Sequence, residues 1–170
     1  MGRLRNLTLG VLATAGALSL AGCGFTPLYA TPGLSSGLSA IEVVAPQGRV
    51  AFLMRQDLDD ALGRDKAAAP QWRLDLDVTQ ARDPRGLRLD NVADRYALTV
   101  TVDYTLTSVA TGKTVHAGHI TSQVSYDAAD APYAGIAARQ NTQEKVASDA
   151  ARRIEVDLAA WMARKDRPAG

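Results

Sequence analysis

The chain has 170 residues, with 19 Lys and Arg against 18 Asp and Glu, and only 5% aromatics. So even a balance excludes a broad cationic field for nucleic acid. A single cysteine, Cys23, excludes any disulfide within the monomer.

The first elements are those of an export signal. Arg3 and Arg5 make a positive n-region, and an apolar h-region runs from Leu7 to Leu20. That run of 14 residues is short of the ~20 that a spanning helix needs. It ends in Leu20-Ala21-Gly22-Cys23, the pattern of a bacterial lipobox. Plain secretory cleavage is the alternative, because Ala-Gly-Cys-Gly is also small. The lone cysteine directly after Leu-Ala-Gly favours the lipoprotein reading. On that reading residues 1–22 are a signal peptide and Cys23 carries a thioether-linked diacylglycerol and an N-acyl chain, with no other cofactor. Several acyl chains hold a protein far more firmly than one. Gly24 stands where enteric inner-membrane retention typically needs Asp, so the expected address is the periplasmic face of the outer membrane. Removing residues 1–22 from 170 leaves 148, enough for one domain, with 17 basic and 18 acidic residues because Arg3 and Arg5 are lost.

Residues 23–39 hold Pro27, Pro32, Gly33 and Gly37 and read as an extended lipidated tether. The domain proper is expected over 40–165, with a tail at 166–170. Ala40–Ala45 reads as a short strand, and Pro46-Gln47-Gly48 as a turn. From Arg49 to Leu62 the apolar residues Val50, Leu53, Met54, Leu58, Ala61 and Leu62 have helical spacing, and Gly63 supplies a stop. Gln71–Thr79 alternates, with Trp72, Leu74, Leu76 and Val78 on one face. Arg82, Arg85 and Arg88 fall in a loop before the next strand. Tyr96–Val109 alternates over a longer run, setting Tyr96, Leu98, Val100, Val102, Tyr104 and Leu106 against a Thr-rich face. Ala110-Thr111-Gly112-Lys113 is a hairpin signal, and Thr114–Tyr126 returns as a fourth strand with Ile120, Val124 and Tyr126 inward. From about Pro132 to Lys165 the period is helical, with Val146, Ala150, Ile154, Leu158, Trp161 and Met162 on one stripe. Asp130 is a candidate cap, and a break near Asn141-Thr142 stays open. The order β-α-β-β-β-α predicts an α+β fold: two helices on one face of a four-stranded, largely antiparallel sheet, whose polar face is left for solvent or a partner.

Few residues promise chemistry. Thr111-Gly112-Lys113-Thr114 lacks the earlier glycine of a phosphate loop, since Thr107 stands there, and a strand follows it. His116 and His119 lie three apart on a strand and so point to opposite faces, which argues for two ordinary histidines and against a metal pair. There is no Gly-x-Ser-x-Gly elbow and no isolated acid in an apolar stretch. Asp57, Asp59 and Asp60 read as the solvated side of the first helix. No enzyme activity is expected. Arg82, Arg85 and Arg88, with Arg139 near the start of the last helix, offer guanidiniums that match phosphate oxygens; on sequence physics alone they are solvated surface charges.

Cys23-Gly24-Phe25-Thr26-Pro27-Leu28-Tyr29 resembles the mature N-terminus of the LptE family of lipopolysaccharide-assembly lipoproteins in its alphaproteobacterial form. The β-α-β-β-β-α order, Ser125-Tyr126 closing the last strand, and the Gln- and Ala-rich final helix are similar too. The resemblance implies a non-enzymatic plug inside the outer-membrane β-barrel LptD, one that aids barrel assembly and the delivery of lipopolysaccharide to the cell surface. It also implies lipopolysaccharide contacts near the third strand and the last helix, where Arg88 and Arg139 are the nearest matches by position and Arg85 lies beside the first. The rival is an auxiliary lipoprotein of a lipid-transport ABC complex.

Overall fold

The computed structural model describes residues 34–87, 93–128 and 132–165. Its elements are α1 (Leu34–Ser39), β1 (Ile41–Val44), α2 (Arg49–Ala61), β2 (Trp72–Leu87), β3 (Ala93–Ser108), β4 (Thr114–Asp127) and α3 (Pro132–Lys165). The four strands lie side by side in chain order. β1 runs parallel to β2, with Ile41 opposite Trp72, and the other two pairings are antiparallel. The α+β architecture expected from the alternating and helical periods is thus the one observed, with a third, short helix added.

Strand parity sets the layers. Leu74 and Leu76 of β2 and Leu98, Val100, Val102, Tyr104 and Leu106 of β3 are buried on one face. Val50, Met54 and Leu58 of α2 and Val146, Ala150, Ile154 and Leu158 of α3 cover them. Each fully buried aliphatic side chain contributes about 1.5–3 kcal/mol of transfer free energy, so this one seam holds the domain. The other face carries Arg73, Asp75, Asp77, Thr99, Thr101, Asp103 and Thr105 and has no helix over it among the described residues.

α2 ends in a Schellman motif. Arg64 N–H donates to Asp59 C=O at 2.9 Å and Gly63 N–H to Asp60 C=O at 3.1 Å. Gly63 has φ +61°, the left-handed conformation that the motif requires. At its start, Arg49 bonds Glu144 of α3 at 2.9 Å and ties the two helices together.

Three sequence expectations change. Leu34–Ser39 is a helical turn rather than extended tether. Leu38 is buried, and Gly37 backs directly onto the Met162 side chain of α3, which a Cβ at this position would push aside. β2 continues to Leu87, so Arg82 and Arg85 stand on a strand and not in a loop. Asp59, expected on the solvated side of α2, is only 15% exposed and lies 4.0 Å from Arg55 and 3.9 Å from Lys66.

α3 passes through Asn141-Thr142 without a break. The Thr142 hydroxyl donates to the Ala138 carbonyl at 2.7 Å and is satisfied inside the helix. The first turns have no layer beneath their apolar residues: Tyr133 is 86% and Ile136 52% exposed. β4 closes the sheet on the far side from β1 and pairs only with β3 among the described residues. From Thr114 to Tyr126 it carries no Asp, Glu, Lys or Arg.

Candidate functional site

At one end of the domain β2 and β3 run on together as an arm, paired as far as Leu87 with Ala93, while β4 accompanies them to Asp127 opposite Arg95. Alternation sorts the basic residues between the faces. Arg82, opposite Leu98, falls on the helix-covered side, where its guanidinium carbon sits 3.7 Å above the Tyr96 ring and 6.0 Å from that of Tyr126. The two tyrosines stack at 5.7 Å. A planar cation over an aromatic face is held by the ring quadrupole, so Arg82 is fixed in place. The Tyr126 hydroxyl is buried with no hydrogen-bond partner among the described residues.

Arg85 falls on the other side of the sheet, exposed and directly opposite Arg95. Like charges facing across a strand pair repel. Arg95 resolves this by donating Nε–H to Asp127 Oδ1 at 2.8 Å. Among the described residues Arg85 has no ion pair. Arg139 is exposed on the first part of α3 and is likewise without an ion pair among them. Because α3 covers the opposite face of the sheet, the fold separates Arg85 from Arg139 instead of bringing them together. Arg88, Asp130 and Cys23 lie outside the described residues.

A second set of polar groups lies in the seam between β4 and α3. Asp157 of α3 accepts from the Tyr104 hydroxyl and from His116 Nε2, both at 2.5 Å. His116 also stacks on Trp161 at 5.7 Å. Burial pushes the Asp157 carboxyl up, but the bonds from His116 and Tyr104 outweigh it and hold the group below the usual carboxylate range. Burial, together with the Asp157 charge, pushes the Tyr104 phenol far above its ordinary value. The Tyr104 ring lies across Gly118, where any side chain would collide with it. About two turns earlier on α3, Asp149 accepts from Ser122 at 2.6 Å and pairs with Arg153 at 2.9 Å. The Ser122 bond leads in holding its carboxyl low.

These groups satisfy one another's hydrogen bonds. They make a structural clamp rather than a site with a free nucleophile or base. His119 points to the opposite face, as strand parity requires, and bonds Asp103 at 2.8 Å. Among the described residues no group of three or more His, Cys, Asp or Glu is placed to hold a metal, and no helix is long and apolar enough to cross a membrane. What the surface offers is exposed guanidinium, Arg85 and Arg139, near one end of an elongated sheet. Sequence reading missed the Arg82 clamp; the signal for it was that Tyr96 and Tyr126 share the inward parity.

Solved structures with this architecture are found among lipoproteins. A Caulobacter crescentus CB15 protein assigned as a lipoprotein is 48% identical, covers 81% of this chain and 99% of its own, and superposes with a TM-score of 0.70. The rare lipoprotein B of Shewanella oneidensis shares the fold at 15% identity, covering 75% of this chain and 97% of its own with a TM-score of 0.57. A minor lipoprotein of Acinetobacter baumannii does so at 17% identity, with coverage of 71% and 88% and a TM-score of 0.52. No functionally curated protein matches the chain. The profile of the LptE lipopolysaccharide-assembly family matches residues 38–158, which span β1 through most of α3. With that match over most of its length, the chain belongs to the LptE lipopolysaccharide-assembly family.

Proposed function

We propose that this protein is an outer-membrane lipoprotein, held by acyl chains on Cys23, that plugs an LptD-type β-barrel and assists its assembly and the delivery of lipopolysaccharide. The family match over residues 38–158 carries the reading. Two physical features are compatible with it. The lumen of a large barrel is polar, and the sheet face away from α2 and α3 is Thr- and Asp-rich. A lipid tether in the leaflet that holds the barrel raises the local concentration of the domain beside it. The protein then needs no catalytic group; its work is to bind and position. Arg85, Arg88 and Arg139 are the residues proposed to meet the phosphates of lipopolysaccharide.

The direct test is to solubilise outer membranes in mild detergent, capture this protein and identify what accompanies it. A stoichiometric large β-barrel is expected. Co-purification of inner-membrane transport subunits in its place would favour the ABC-complex role, and recovery of the protein alone would sink the plug. For the ligand, the triple change of Arg85, Arg88 and Arg139 to Gln should weaken lipopolysaccharide binding by about tenfold or more, since one charge-assisted hydrogen bond contributes ~1.5–3 kcal/mol. Unchanged affinity with an intact circular-dichroism spectrum would remove these residues from the role.

A further inference from the structure

The end of the domain opposite the arginine-bearing arm is where the chain enters it. α1 leads into Ala40, whose carbonyl accepts the N–H groups of Gln71 at 3.0 Å and Trp72 at 3.3 Å. Gathered around that entry are both tryptophans of the protein, Trp72 and Trp161. They meet edge to face at 5.6 Å, and each is half-buried. The Lys165 ammonium sits 4.1 Å above the Trp72 ring and 5.6 Å from Trp161.

The β3–β4 turn lies at the same end, because Val109 N–H donates to the Gln71 carbonyl at 3.0 Å. It brings Lys113 and two uncovered aliphatic side chains, Val109 at 52% and Val115 at 37% exposure. Between the turn and β2 runs an open groove of about 470 Å³ lined by Pro70, Trp72, Val109 and Ala110 among others. Arg164 and Lys165 close the last turn of α3. Of the described acids nearby, Asp157 is engaged by Tyr104 and His116, and Asp65 accepts from the Ala67 N–H at 2.9 Å; Asp166, next to Lys165 in the sequence, lies outside the described residues.

Amphipathic rings beside exposed valines, with the Lys165 ammonium held over the Trp72 ring and Lys113 exposed on the adjoining turn, form the composition suited to a lipid headgroup layer. Distance agrees. Leu34 follows Cys23 by 11 residues, which at ~3.5 Å each span at most about 40 Å. We propose that this end of the domain seats on the anionic phospholipid surface of the leaflet that holds the anchor. Trp72 and Trp161 then lie at the interface, and Lys113, Arg164 and Lys165 lie at the lipid phosphates. The proposal rests on the lipid-anchor reading of Cys23. It leaves the opposite end, with Arg82, Arg85 and Arg139, turned away from that surface.

Having both tryptophans at one end makes the test direct. The mature acylated protein is reconstituted into vesicles of phosphatidylglycerol and phosphatidylethanolamine, with ordinary or brominated acyl chains. Flotation of the protein with vesicles reads the anchor; tryptophan emission reads the seat. Seating predicts a shift of emission to shorter wavelength on vesicle binding and a loss of emission with brominated lipid. Lys113→Glu with Lys165→Glu should reduce both effects while flotation persists. Flotation with unshifted, unquenched tryptophan would overturn the seat and leave the anchor standing. Failure to float would overturn the anchor, and the seat with it. Because the unmodified protein gives the primary signal, misfolding of a variant does not decide the outcome.

Discussion

Asp157 shows how one side chain joins three elements, since its single Oδ2 accepts from both Tyr104 of β3 and His116 of β4. Its folded pKa is depressed, so the stability it contributes is present above the ordinary carboxylate value near 4 and is lost as pH falls through the folded value. Asp157→Asn should cost on the order of 1 kcal/mol at neutral pH, a modest figure because solvent screens a partly exposed carboxylate; its side chain is 37% exposed. Urea unfolding across a pH series checks this: the gap between variant and wild type should close in acid, and a gap of constant size would show that the charge is not responsible. In the sequence, alternation placed Tyr104 inward and helical period placed Asp157 off the apolar stripe. That the two meet was not legible, because it depends on how α3 is rotated over the sheet, a property of packing across 53 positions.

Among the elements, β3, α2 and α3 were legible because each has a long, clean period, and β4 because a hairpin signal precedes it. α1 and the outer half of β2 were not, and the cause is the same in both: residues that usually break structure. Gly37 reads as a breaker, yet it stands inside α1 and packs closely on Met162. Pro84 and Gly86 read as loop, but β1 flanks β2 only from Trp72 to Asp75. Beyond that point β2 is itself an edge, where a proline without an N–H is tolerated. α1 also has an energetic role, since it carries Leu38 into the core at 1% exposure. Leu38→Ala should lower stability by about 3 kcal/mol, the usual cost of a buried Leu→Ala cavity. A change below half of that in thermal or denaturant unfolding would mean that α1 is decoration and not part of the domain.

For the whole molecule, the layers followed from periodicity but the order of strands in the sheet and the parallel β1–β2 pair did not, and the family rested on a short motif after Cys23 and the order of elements. Arg85 and Arg139 looked alike as exposed cations in the sequence; only the sheet between them shows that they serve different surfaces. If both meet lipopolysaccharide as proposed, their contributions should therefore add. In a double-mutant cycle with Arg85→Gln and Arg139→Gln the coupling should stay within about 0.5 kcal/mol, and stronger coupling would mean that one phosphate group engages both.

The uncharged border of β4 has a practical consequence for anyone handling the isolated protein. Sheets in soluble proteins usually guard such a border with lysine, proline or a bulge, because its free amides template another strand. Here lysine and proline are absent from Thr114 to Tyr126, and the one register irregularity, at Val115, lies at the turn end and leaves the rest of the strand regular. Concentrated stocks without a partner should drift toward strand-to-strand oligomers. Thr121, exposed on the helix-free face midway along β4, is the position where one lysine would suppress that drift with least disturbance to the core.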